Sequence, residues 1–369
     1  MAGLVATDHR VVIRVDSSID IGTGHVMRCL TLANALKAEG ILSVFLCRAH
    51  KGHLVESIAA QGHEVIALPK PDEAFHTTVG DPSHAEWLGA SWKTDAKQTQ
   101  AALGSRRFAW MIVDHYALDR RWQRAMRPFC ERILVMDDLA DRSHDCDVLL
   151  DPTLGREMSE YKVCIPLKAK ALLGPGYALL RPEFAQKRST SLARREKPRL
   201  EQLLINMGGV DNGNATLGIL TALRATPLPN GCKICVIMGS QAPWIEEIEA
   251  SAKSLPWHTD VLIGVDDVAS IMSASDLAFG AGGGTSWERC CMGLPTMMLC
   301  MAENQIEMAR SLSDAGAVQV GRSPEELTDF LSALLNKGDL EGFMVAASTR
   351  AAAVTDGKGV SRVIGEMDL

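Results

Sequence analysis

The sequence predicts an α/β protein built as two Rossmann-like domains facing each other across a cleft. Three observations carry this. Apolar, β-branched runs of strand length alternate with helical stretches from one end of the chain to the other, the pattern of parallel sheets covered on both faces. The chain has 369 residues, more than one domain usually holds. The alternation breaks once, near the middle, and then restarts.

Taken in order, the first strand is "VVIRVD", Val11–Asp16. A turn with two glycines, Gly22 and Gly24, follows, and His25 opens a helix in which Val26, Leu30, Ala33 and Leu36 recur at helical spacing up to a C-terminal Gly40. Further strands are expected at "SVFLC", "EVIAL", "WMIVD", "RILVMDD" and "DVLLD", with "HAEWLGASWKTDAKQTQAAL" among the helical segments between them. The charged, serine-containing stretch Ala185–Leu200, with Pro198 near its end, reads as a linker, so the domains are placed at residues 1–195 and 196–369. In the second half, "EQLLINMGG", "KICVIMG", "TDVLIG", "LAFG", "PTMMLCM" and "AVQVG" continue the alternation. No repeat of fixed period accompanies this architectural repetition.

Composition narrows the function. A 47% hydrophobic and 22% charged chain is that of an ordinary soluble globular protein. A formal charge of −7 without a basic stripe argues against a nucleic-acid partner. No apolar run has membrane-spanning length and the N-terminus lacks a signal-peptide core, so a cytoplasmic address without membrane insertion is expected. The ten cysteines lie mostly in apolar runs and read as buried free thiols; the pair Cys232 and Cys235 has C-x-x-C spacing but no second pair, and reads as structural.

Chemistry is expected where strands end in glycine turns, because unpaired backbone N–H groups and the helix dipole point outward there. "DSSIDIGTGHVMRC" is the first such turn, although it lacks the third glycine of the dinucleotide pattern and the Walker A lysine. "NMGGVDNGNAT" is the second, with Gly208 and Gly209 permitting close approach of a ligand and Asp211 or Asn212 capping the next helix. "FGAGGGTSWERCCMGLP" is the third, where Gly283, Gly284 and Thr285 would meet a diphosphate and Glu288 a ribose diol. Asn304 and Gln305 offer amides from a following loop. In the first half, Asp16 either caps its loop or faces a ligand, and Tyr116 either faces it or packs. Asp114 and His115 share that strand end, and the doubled Asp137 and Asp138 read as turn and helix-cap chemistry, not as a metal site.

Together "IRVDSSIDIGTGHVMRC", "HAEWLGASWKTDA", "DHYALDRRW", "DDLADRSHDCDVLLD", "LLGPGYALLRPEF", "NMGGVDNGN" and "AGGGTSWERCCMGLP" resemble, over nearly the whole chain, the UDP-2,4-diacetamido-2,4,6-trideoxy-β-L-altropyranose hydrolases of pseudaminic acid biosynthesis. Two small departures are "DPTLG", where an asparagine is expected before the leucine, and Val210, where a small polar residue is usual. The resemblance implies the glycosyltransferase-B fold, UDP in the second domain, and a sugar site and catalytic turn in the first, where Asp16 either orients the turn or binds a sugar amide or hydroxyl and Tyr116 either reaches the sugar or packs. It implies that His25 is the general base through which water attacks C1 and displaces UDP, with no metal and no cofactor. The partners are then a UDP-sugar and water, and a monomer satisfies this reading. Imidazole suits the task because its ordinary titration lies closest to neutral pH. A glycosyltransferase using the same fold, or a non-catalytic nucleotide-sugar binding protein, stays open at this point.

Overall fold

The computed structural model describes residues 7–70, 75–240, 242–301 and 305–369. The chain divides into two compact units, Met1–Leu179 with Gly359–Leu369, and Leu180–Lys358.

In the first unit, seven parallel strands lie in the order β3-β2-β1-β4-β5-β6-β7: β1 Thr7–Val15, β2 Ser43–Arg48, β3 Glu64–Leu68, β4 Arg107–Asp114, β5 Cys130–Met136, β6 Val148–Asp151 and β7 Lys170–Leu173. The two-residue pleat divides β1 between two cores. Val11, Ile13 and Val15 pack with the helix Gly24–Ala38 on one face, and Val12 packs with Val44, Met111 and Trp122 on the other. The second unit repeats the plan with six parallel strands, β10-β9-β8-β11-β12-β13: β8 Gln202–Asn206, β9 Lys233–Met238, β10 Thr259–Ile263, β11 Leu277–Ala281, β12 Thr296–Leu299 and β13 Val318–Gly321. In both sheets the strand order reverses beside the unit's first strand, between β1 and β4 and between β8 and β11. Doubly wound folds place ligands at the carboxyl ends of the strands at that reversal.

The expected linker is corrected. Most of Ala185–Leu200 lies in the helix Pro182–Arg194, which starts on a proline at its first position and buries Phe184 completely. Its polar side chains are tied to the second unit: Arg188 donates to the carbonyls of Cys291 and Ala352, and Ser191 to that of Met292. The boundary therefore falls at residue 180, not 196. The chain end also returns, as the helix Gly359–Gly365 adds Val360, Val363 and Ile364 to the core beneath β1. The single expected helical segment 84–103 is two pieces, a short 3₁₀ turn Ala85–Leu88 and the helix Trp92–Leu103, separated at Gly89 in the left-handed region and restarted by the Ser91 cap. Strand β7, at the sheet edge, is a seventh strand beyond the six that the apolar runs predict.

Among the described residues, no helix is long and apolar enough to cross a membrane, and no three His, Cys, Asp or Glu side chains gather as a metal-ligand set. Cys232 and Cys235 are buried free thiols, both pushed up to about 11 chiefly by burial.

Candidate active site

The loop after β1 organises the reversal point of the first unit. Ser18 Oγ accepts from the amides of Asp20 and Ile21, and Gly22 N donates to Ser18 O at 2.9 Å. Gly22 has φ +80, a conformation that disfavours side chains, and this turns the chain into the helix Gly24–Ala38. His25 is thereby fixed in the first helical turn, with 11% of its side chain exposed.

His25 meets Asp114, at the end of β4, with Nδ1 2.7 Å from Oδ1. Arg28, one turn along the same helix face, grips that carboxylate with both arms: Nε to Oδ2 and Nη2 to Oδ1, each 2.6 Å. Burial pushes the Asp114 carboxyl up, but the Arg28 guanidinium and then His25 outweigh it and hold the group well below the usual carboxylate range. Arg28 Nη2, a donor, also lies 3.2 Å from Nδ1, but its shorter bond goes to Asp114. An ionised carboxylate only accepts, so its 2.7 Å contact places the proton of the neutral imidazole on Nδ1 and leaves Nε2 as the acceptor. Among the described residues Nε2 has no hydrogen-bond partner. This is the orientation a general base requires.

A second layer holds this group. Arg28 Nη1 reaches Asp138 at 3.0 Å, and the Tyr116 hydroxyl donates to the same carboxylate. Burial first, then Asp138, pushes the Tyr116 phenol far up, so it stays a donor. Its ring stands edge-on to His25 at 4.6 Å and stacks against Trp87 at 5.7 Å. Of the two expectations for Tyr116, the geometry therefore favours packing and positioning over direct reach to a sugar. Asp138 was expected to serve turn chemistry and instead joins the site. Asp137 keeps the turn role, accepting from Ala140 N and pairing with Arg142.

Asp16 is also an orienting residue. Its side chain has no exposed surface, and Oδ1 accepts from Arg14 Nη1 at 2.5 Å and from Arg48 N at 2.6 Å. His115 Nδ1 accepts from Ala117 N, so its other nitrogen carries the proton toward Asp16 Oδ2, 3.2 Å away. Arg14 and Arg48 both continue to Asp95, which also receives Trp122 Nε1. This buried network fixes the ends of β1, β2 and β4, although among the described residues Asp16 Oδ2, Arg48 Nε and His115 Nε2 make no hydrogen bond.

In the second unit, the two glycine turns at the reversal point differ. After β8, Gly208 has φ +95 and Gly209 packs its carbonyl against Gly239. The helix Ala215–Leu223 is already capped: Asp211 accepts from Ala215 N and Thr216 N, and Asn214 from Leu217 N. The Asn212 carbonyl accepts from Trp244 Nε1 at 3.3 Å. After β11, Gly283 has φ +118, and the helix Thr285–Cys291 begins at Gly284 with no side-chain cap. Glu288 is half-buried beside it, and its carboxylate accepts no hydrogen bond among the described residues. Burial pushes that carboxyl up to about 7, against the opposing pull of Arg181 and Arg289. Thr285 Oγ1 is held by Arg289 Nη1 at 3.2 Å. Gln305 Oε1 accepts from Met301 N at 3.0 Å and its side chain packs on Gly282. Asn304 lies outside the described residues. The structure thus gathers Gly283, Gly284, Thr285, Glu288 and Gln305 about one turn, and His25, Gly22, Gly24, Tyr116 and Asp16 about another.

Two doubly wound parallel sheets in one chain, with strand orders that reverse beside β1 and β8, define a glycosyltransferase-B fold. Solved structures agree in fold: MurG from Acinetobacter baumannii superposes with a TM-score of 0.64 at 17% identity, covering 97% of this chain and 99% of its own. A UDP-glucosyltransferase from Polygonum tinctorium gives 0.67 at 12% identity, covering 99% and 100%. No family model matches the chain. Among curated proteins it is similar to the UDP-2,4-diacetamido-2,4,6-trideoxy-beta-L-altropyranose hydrolase of Campylobacter jejuni, 24% identical over 310 residues, 83% of this chain and 97% of that protein. It is also similar to the spore coat polysaccharide biosynthesis protein SpsG of Bacillus subtilis, 26% identical over 195 residues, 52% of this chain and 56% of that protein. An uncharacterized protein of Methanocaldococcus jannaschii is 22% identical over 302 residues, 81% of this chain and 57% of that protein. The match spans little more than half the length of these last two.

Proposed function

We propose that this chain is a UDP-sugar hydrolase acting on a UDP-diacetamido-trideoxyhexose such as UDP-2,4-diacetamido-2,4,6-trideoxy-β-L-altropyranose. The observation that carries the reading is the Arg28–Asp114–His25 chain, which leaves Nε2 of His25 as an oriented acceptor. The likeness to the Campylobacter jejuni hydrolase over 83% of the chain supports the substrate class.

In this mechanism a water oxygen forms the new bond to the anomeric carbon while the bond from that carbon to the diphosphate oxygen breaks. The water proton moves to His25 Nε2, Asp114 stabilises the imidazolium, and UDP leaves with the electron pair. The imidazolium then returns its proton to solvent. Diphosphate is a good leaving group, so a second carboxylic acid of the glycosidase kind is unnecessary. UDP is held by the second unit, with the turn Gly283–Thr285 at the diphosphate and Glu288 at the ribose. Gly209 packs its carbonyl against Gly239, and Gly208, at φ +95, turns the chain. Gln305 and the neighbouring Asn304 complete the nucleotide side.

The test is incubation of the purified chain with the UDP-sugar in ¹⁸O-water and no acceptor. Hydrolysis at carbon yields UDP and free sugar in equal amounts, with no ¹⁸O in the UDP. Unchanged substrate, or label in the UDP phosphate, overturns the reading.

A further inference from the structure

Arg289 is a buried cation in the second unit that the mechanism above does not use. It is 1% exposed and lies one helical turn beyond Thr285. Arg14 and Arg48 are buried as deeply, but each meets a carboxylate, on Asp16 and on Asp95. Arg289 meets none among the described residues. Its Nη2 donates to the Ala281 carbonyl at 2.6 Å and to Ser286 Oγ at 3.2 Å, Nη1 donates to Thr285 Oγ1 at 3.2 Å, and Nε is buried without a partner. Burial pulls the guanidinium down to about 10, which leaves it a cation at neutral pH. A buried charge held only by neutral oxygens is costly, and an anion at the turn would offset that cost.

The guanidinium is built into the turn. A Cβ at Gly280 would lie 2.5 Å from Arg289 Cζ, so a side chain at position 280 would displace it. The bond to Ala281 O ties it to the residue before the three glycines. The bond to Thr285 has a chemical consequence. A hydroxyl has one donor and two acceptor sites. Thr285 Oγ1 accepts from the cation and makes no other hydrogen bond among the described residues, so its own O–H is left to donate. A donor that itself accepts from a cation is polarised, and bonds in such a chain strengthen one another.

We infer that Arg289 is a positioning residue for the leaving group: it fixes and polarises the Thr285 hydroxyl as a donor to the diphosphate of UDP and supplies the buried countercharge. The hydroxyl bond strengthens as the bond to C1 breaks and charge gathers on the diphosphate, so the pair acts on departure of UDP as well as on its binding. This assignment rests on the nucleotide reading proposed above.

The test is calorimetry with UDP and with uridine on the parent, Arg289→Met, Thr285→Val and the double variant. Each single variant is expected to lose roughly tenfold or more in UDP affinity, the order of a hydrogen bond to a charged group. Uridine carries no phosphate, so its affinity should stay within about twofold. The double variant should fall no more than about twofold below the weaker single one, because the two residues act as one unit. An arginine that only holds the turn together would lose uridine as well, or its loss would multiply with that of Thr285→Val. Should Arg289→Met fail to fold, NMR of the parent decides the matter. The Arg289 Nε–H resonance, assigned by its loss in Arg289→Lys, is expected to shift with UDP and not with uridine. Parental UDP affinity in the folded single variants, losses that multiply or extend to uridine, or an Nε–H resonance indifferent to UDP would overturn this role and leave the nucleotide reading intact. A parent that binds neither UDP nor uridine would overturn the nucleotide reading and this inference with it.

Discussion

His25 and Glu288 are the two residues on which the proposed chemistry turns, and each draws its property from burial beside a charge. Asp114, 89 positions from His25, is ionised because Arg28 lies against it, and an ionised Asp114 decides which imidazole nitrogen accepts. The glycine turn marked His25 in the sequence. Arg28 stands three residues further on the same helix face, a spacing that could have flagged it. Asp114 and Asp138 needed the strand order, because only the pairing of β1 with β4 and β4 with β5 brings them to the helix start. Glu288 carries a direct pH prediction. With its carboxyl pushed up to about 7, it is mostly protonated below that pH and mostly ionised above it. Only the ionised form accepts from both ribose hydroxyls, so affinity should rise with pH. Uridine is the cleaner probe because it has no phosphate to titrate. Calorimetry is expected to give roughly tenfold tighter uridine binding at pH 8 than at pH 6, following the ionised fraction. The Glu288→Gln variant should be weaker and flat over that range. A parent that binds uridine equally at both pH values would remove Glu288 from the ribose.

At the scale of elements, the two glycine turns of the second unit look alike in sequence and differ in their hydrogen bonds. The helix at Ala215 receives Asp211 and Asn214 at its open amides, whereas the helix at Thr285 starts from Gly284 without a side-chain cap. An acidic cap also sets a negative charge where a phosphate would need to sit. Asp211→Ala is therefore expected to cost about 1 kcal/mol of stability, as cap removals do, and to leave UDP affinity unchanged. Denaturant melts and calorimetry on the one variant check both halves; a large loss of UDP binding at unchanged stability would move the diphosphate to this turn. Six strands in each half were legible because near-continuous β-branched runs bounded by glycine or aspartate have few other solutions. Strand β7, "KALL", escaped because it is four residues at a sheet edge among lysines. The helix Pro182–Arg194 escaped because its charges mimic a solvated linker, while in the fold Arg188 and Arg194 are spent on carbonyls and on Asp276.

At the scale of the whole molecule, the buried ion pairs are unequally shared. Asp16, Asp95, Asp114 and Asp137 all belong to the first unit. Burial raises each carboxyl, and an adjacent arginine outweighs that and holds it below its ordinary value: Arg14 for Asp16 and Asp95, Arg28 for Asp114, Arg142 for Asp137. A carboxyl depressed by folding stabilises the fold above its unfolded value near 3.9, and that stability is lost as pH falls through and below it. Asp151 in the first unit, raised chiefly by burial, and Glu288 in the second have the opposite sign. The raised Glu288 carboxyl favours the folded state at low pH and loses that contribution as pH rises through about 7. Acid should therefore open the first unit before the second. Hydrogen exchange between about pH 5 and 3 is expected to release the amides of β1 and β4 ahead of those of β8 and β11. The reverse order would show that these pairs do not govern acid stability.

The central claim is that His25 takes the proton and does not hold the nucleotide. The measurement is the turnover of His25→Asn beside its UDP affinity. Asparagine keeps a polar side chain that can bond to Asp114 but supplies no basic nitrogen at Nε2. The variant is predicted to release UDP from the sugar about 10²–10⁴-fold more slowly than the parent, the usual loss for a positioned general base, with UDP affinity within about twofold. A folded His25→Asn protein that hydrolyses the substrate at the parental rate would contradict the account and leave the turn after β1 without a catalytic role.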